Sequence, residues 1–99
     1  MIIIRRNLNQ LFNLGTVVAT PGAVSLLDEL DVRPDELLSR HQTGDWGDLD
    51  EHDRGVNFHA VENGFRIMSA YCVGDKSEVI WVITEADRSV TTLLLPAEY

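Results

Sequence analysis

Cysteine is almost absent from this chain. Cys72 stands alone among 99 residues, which excludes an intramolecular disulfide and argues against a cysteine-based metal site. Long apolar runs are lacking as well. After Met1 come Ile2, Ile3 and Ile4, and then Arg5 and Arg6. A secretory signal needs an apolar run of about 7–15 residues and a spanning helix about 20, so neither is expected, no membrane partner is expected, and a cytoplasmic location is the default. Basic residues are scarce: eight Lys and Arg stand against 16 Asp and Glu, for a net charge of −8. A field of that sign repels phosphate backbones, so direct nucleic-acid binding is disfavoured and a basic protein partner is favoured. The chain also lacks a Gly-rich phosphate loop, a G-x-S-x-G elbow, a Rossmann fingerprint, internal repeats and low-complexity tracts.

What is present is the composition of an ordinary globule of one domain, 44% hydrophobic and 24% charged. Its charge is uneven. Asp45, Asp48, Asp50, Glu51 and Asp53 fall within nine residues that hold no base. Such a run is either a solvated face or a surface for a cationic partner.

Residues 1–15, rich in asparagine around Leu8, Leu11 and Phe12, read as an N-terminal arm or short helix, and residues 16–99 as a single domain. Thr16 to Ala19 reads as a strand ended by Thr20-Pro21, an N-cap and first-turn proline. Ala23, Val24, Leu27 and Leu30 then recur at helical spacing, predicting one buried helix face that stops near Asp31. A second short helix starts at Pro34, with Asp35 and Glu36 in its first turn and Arg40-His41 at its end. Gln42 to Gly47 is a loop. Asp48 with Glu51 forms a capping-box pattern, predicting a third helix to about Asn63 with Leu49, Val56 and Ala60 inward, and Gly64 as its C-terminal stop. From Phe65 the period falls to two. The expectation is an α+β domain: one N-terminal strand, three short helices, and a three-stranded antiparallel meander with the helices packed on one sheet face. Val79 to Ile83 is apolar throughout and suits a strand covered on both faces. If the last strand, Val90 to Leu95, lies at a sheet edge it needs cover, from another subunit or, preferably, from Thr16 to Ala19.

The stretches "TVVATPGA", "LLSRHQTGDWGDLDEHD", "RIMSAY" and "IWVITEADRSVTTLLLPAEY" together resemble a family of small uncharacterised proteins carried on bacterial plasmids and integrated mobile elements. The likeness spans Thr16 to Tyr99. It implies a bacterial, cytoplasmic, mobile-element context and an accessory role, and brings no activity with it.

Two constellations are candidates for function. The acidic one comprises Asp45, Trp46, Asp48, Asp50, Glu51 and Asp53 as a surface for a basic host or element-encoded protein. Trp46, between Gly44 and Gly47, is either a core plug beneath the loop or a contact anchor. The second uses the meander. Arg88, Thr91, His41 and Glu85 are the groups a small ribonuclease toxin would need, and the order of helices and sheet is similar to that of barnase- and RelE-like ribonucleases, a likeness of fold alone. His41 would be a general base oriented by Asp45 or Asp48, or, in the plainer reading, a cap on the last carbonyls of its helix. Glu85 can pair with Arg88 across a turn. His52 and His59 are seven apart rather than three or four, and the acids lack the full calcium-loop pattern, so no metal or cofactor is expected. Cys72 reads as a small buried thiol. The preferred expectation is a non-enzymatic binding protein, with the ribonuclease as the alternative.

Overall fold

Thr20 turns the first strand into the first helix. Its backbone is extended and its hydroxyl accepts from the Ala23 amide, while Pro21 supplies the fixed φ of a first helical turn. The computed structural model describes residues 10–75 and 77–99. Its elements are β1 (Thr16–Ala19), α1 (Pro21–Glu29), α2 (Pro34–Gln42), α3 (Glu51–Asn63), β2 (Ile67–Val73), β3 (Glu78–Thr84), β4 (Val90–Leu94) and a closing 3-10 turn, Pro96–Glu98. The molecule is α+β. No helix among the described residues is long and apolar enough to cross a membrane.

The four strands form one mixed sheet in the order β1-β4-β3-β2. β2, β3 and β4 are antiparallel neighbours, so the expected meander is there, but it does not stand alone. β1 joins it in parallel, with Thr16 opposite Val90 and Ala19 opposite Leu93, and supplies the cover that β4 needs. Alternation along the strands sends Tyr71, Val73, Ile80, Val82 and Leu93 to one face, where they meet Ala23 and Leu27 of α1 and Leu37 of α2. Among the described residues, the opposite face carries no second layer of helices. Ile83 is buried there, but Val79 and Trp81 are only half-buried and Trp81 meets Tyr99 edge-on, so the strand is covered on both sides only at its Ile83 end.

Further details depart from the sequence pattern. Val24 is exposed on α1, whose packed face is Ala23 and Leu27 with Leu26 and Leu30 partly buried beside them. The third helix starts two residues later than its capping box suggested. Asp48 donates its amide to the Ala70 carbonyl and accepts from the Cys72 amide, which ties it to β2, and Asp50 becomes the cap by accepting from the Asp53 amide. The inward face of α3 is consequently Asn57 and Ala60, with Val56 half-exposed. α3 lies along the outer edge of β2 rather than over the sheet: the Asn57 side chain both donates to the Met68 carbonyl and accepts from its amide, acting as a further strand. Gly64 ends the helix in the left-handed conformation, at φ 72°. Of the N-terminal arm, residues 1–9 lie outside the described residues. Residues 10–15 form no helix: Phe12 is buried, the Leu11 amide donates to Gln42, and Gln42 donates to the Phe12 carbonyl.

Candidate functional site

The acidic run is built as an edge seal. Gly47 forms a parallel bridge with Ala70, the Ala70 amide donates to the Trp46 carbonyl, and the Tyr71 hydroxyl donates to the Asp45 carbonyl at 2.6 Å. Gly47 sits at φ 78°, and a Cβ there would stand 2.1 Å from the Ala70 carbonyl oxygen, so only glycine lets the loop lie against β2. The loop commits several carboxylates. Asp45 forms a two-point pair with Arg40, at 2.6 and 3.3 Å, and accepts from the Gly47 amide; the Arg40 guanidinium holds its carboxyl below the ordinary range. Asp48 holds the Cys72 amide and Asp50 caps α3. Trp46 is 2% exposed and packs against Phe12, His41 and Phe58: it is the core plug. Its indole N–H has no acceptor among the described residues. Glu51 and Asp53, in the first turn of α3, keep exposed carboxylates without a hydrogen bond or ion pair among the described residues.

Asp53 also opens onto a cleft of about 230 Å³ between α3, β2 and the C-terminal residue. Leu49, Val56 and Met68 give it apolar walls, and Arg66 and Tyr99 form its far side. Arg66 is committed: it donates to the Tyr99 hydroxyl at 2.6 Å, lies 5.1 Å from that ring's centroid, and stands 3.8 Å from Glu85. The 3-10 turn fixes the tail. Glu98 accepts from the Thr20 hydroxyl and from the Gly22 and Leu95 amides, so a carboxylate sits at the positive end of α1, and these bonds, with that to Thr20 foremost, keep it below the usual carboxylate range.

The groups proposed for a ribonuclease do not converge on an open surface. His41 is fully buried; it neither caps its helix nor reaches an acid. Its Nδ1 is 2.6 Å from the Ser69 hydroxyl and its Nε2 2.9 Å from that of Thr84, which in turn is 2.7 Å from the Thr91 hydroxyl. The directions of these bonds follow by counting protons. Thr91 donates its single hydrogen to the Leu14 carbonyl, so Thr84 must donate to Thr91. Thr84 then accepts from the imidazole, which carries its proton on Nε2 and accepts from Ser69 on Nδ1. Burial favours the neutral ring and pushes His41 down from its ordinary 6.5 to about 3. Arg88, at φ 61°, donates to the carbonyls of Ala60, Phe65, Glu85 and Ala86, stapling the hairpin tip to the end of α3. Glu85 turns to Arg66 instead of pairing with Arg88. The hydroxyls and imidazole are interior, and the guanidinium is spent on backbone.

Sequence reasoning missed Ser69 and Thr84 as partners of His41, and Asn57 as a strand mimic. A signal existed for the first two. Ser69 alternates with Ile67 and Tyr71, Thr84 with Val82, and His41 lies four residues after Leu37 on the buried face of α2. Of the other histidines, His59 stacks on Phe65 and His52 is exposed on α3, and the described residues contain no group of three or more potential metal ligands. Cys72 is half-buried, at the edge held by Asp48.

No protein-family model, no curated protein and no solved structure matches this chain.

Proposed function

We propose that this protein is a non-enzymatic binding module that engages a basic partner protein through the N-terminal end of α3 and the cleft beside it. The supporting observation is the state of the carboxylates. Asp45, Asp48 and Asp50 serve the fold, while Glu51 and Asp53 remain exposed with no partner among the described residues, next to an apolar cleft. Unneutralised charge beside desolvatable apolar surface is the combination that interfaces use: the charge steers encounter and the apolar pocket holds the partner. The resemblance to mobile-element proteins supports a bacterial setting in which the partner is a host or element-encoded protein handling nucleic acid or defence.

The test is retention of a partner from host lysate on the immobilised protein across a salt series. The Debye length shrinks from about 10 Å at 0.1 M to about 3 Å at 1 M, so a charge-led complex weakens steeply over that range. Glu51→Gln with Asp53→Asn should weaken capture at low salt to the level that high salt produces. Capture indifferent to both would refute the reading. Assays of RNA cleavage should show none, since His41 and Thr91 lie in the interior.

A further inference from the structure

The cleft beside Asp53 has an unbalanced chemistry that specifies its guest. We infer that it takes one arginine side chain of the partner, an assignment that rests on the binding-module reading and sharpens it. Size comes first. At about 230 Å³ the cleft falls below the range of about 300–1,000 Å³ typical of small-molecule sites, and it suits one long side chain. Its walls come next. Leu49, Val56 and Met68 offer an apolar passage for an aliphatic stem, and a guanidinium carries such a stem into interfaces readily.

Charge decides the rest. Of the two ionic groups on the rim, Arg66 is already matched by the Tyr99 hydroxyl, the Tyr99 ring and Glu85. Asp53 is matched by nothing among the described residues. Asn57, the other polar group lining the cleft, spends both ends of its amide on Met68. An anionic guest would therefore have to compete with the contacts of Arg66 and sit near a carboxylate that has no ion-pair partner among the described residues. A cationic guest needs no rearrangement. A fork of N–H donors suits a carboxylate better than the single point of an ammonium.

The experiment is a titration of the ¹⁵N-labelled full chain with the blocked tripeptide acetyl-Gly-Arg-Gly-amide, beside the same peptide carrying citrulline, which keeps the shape and removes the charge. Saturable shifts are expected at Asp53, Val56, Asn57 and Met68 with millimolar affinity, since one side chain supplies only a fraction of an interface. Citrulline, or Asp53→Asn in the protein, should weaken binding about fivefold, the equivalent of about 1 kcal/mol. Val56→Lys, at a half-exposed helix position three residues from Asp53, places a cation of the chain's own at the cleft and should abolish the shifts without unfolding the protein. Shifts confined to the Glu51 side of α3, or equal binding of citrulline, would overturn the arginine site while leaving charge-led binding intact. Shifts that persist unchanged in Val56→Lys would also overturn it. Failure of the proposed function reads differently: partner capture would be insensitive to salt and to the double substitution.

Discussion

His41 shows how one buried side chain can couple stability to pH. The ring is neutral in the folded protein and held near 3, whereas in the unfolded chain it titrates at its ordinary 6.5. Between those values the unfolded state binds the extra proton, so stability is full above about pH 6.5 and falls as pH drops through the window below it. At about 1.4 kcal/mol per unit the loss amounts to several kcal/mol. Urea midpoints measured from pH 7 to pH 4 should fall steadily, and His41→Gln, though less stable at pH 7, should flatten that slope. A wild-type midpoint constant over this range would contradict a buried neutral ring. Asp45 and Glu98, both held below the ordinary carboxylate range, act in a lower window: their stabilisation is lost only as pH falls through their lowered values. The chain of hydroxyls makes a second claim at this scale. Thr84→Val keeps the shape but leaves the imidazole Nε2–H without its acceptor, at a cost of about 1–3 kcal/mol. Chemical denaturation should show the midpoint shift at unchanged m.

At the scale of elements, the unusual feature is how the outer edge of β2 is closed. Met68 is paired by the Asn57 side chain, Ala70 by the backbone of Trp46 and Asp48, and the Cys72 amide by the Asp48 carboxylate. An open edge offers a row of donors and acceptors to any passing strand, so the seal protects the molecule from edge pairing. Gly47→Ala should break it. The added Cβ meets the Ala70 carbonyl and the backbone must leave φ 78°, a loss of about 2 kcal/mol or more. Hydrogen exchange should quicken at Ala70 and Cys72 while the Asn57-held Met68 amide stays protected. Gly55→Ala is the contrasting case: nothing lies within 4 Å of its Cβ inside α3, so thermal melting should rise by the equivalent of about 0.5–1 kcal/mol. The elements themselves were largely legible. Thr20-Pro21, Pro34 and Gly64 bound their helices as the pattern suggested. The start of α3 was not, because two acids, Asp48 and Asp50, both fit a cap, and the choice depended on a strand whose Cys72 amide holds Asp48 from 24 residues further on.

Across the whole molecule the net charge of −8 acts against compaction, and the resolved ion pairs relieve little of it. Arg33–Asp35 is exposed and Arg40–Asp45 about half-exposed, and surface pairs of this kind contribute at most about 1 kcal/mol each. Screening should therefore help. Raising NaCl from about 0.02 to 0.5 M is expected to raise the melting temperature, whereas a protein held together by ion pairs would lose stability over the same range. The same excess of acid is what the binding proposal draws on, and only part of it is available. Local sequence offered all the carboxylates from Asp45 to Asp53 to a partner, with a cap role only for Asp48; hydrogen bonds to Arg40, Cys72 and the α3 terminus divide them into structural and exposed groups.

The amino-acid order by itself determined the number of helices, the change of period at Phe65, the acidic excess and the strands of the sheet. These depend on spacing and on turn chemistry within a few residues, which a chain carries wherever it folds. Tertiary structure alone decided that β1 runs parallel to β4, that Asn57 stands in for a strand, that His41 is an interior hydrogen-bond partner, and which acids face outward. The first three join residues at least 11 positions apart, and the fourth turns in part on the Asp48–Cys72 bond across 24, so the desolvation and proton-matching that select them exist only once the partners meet.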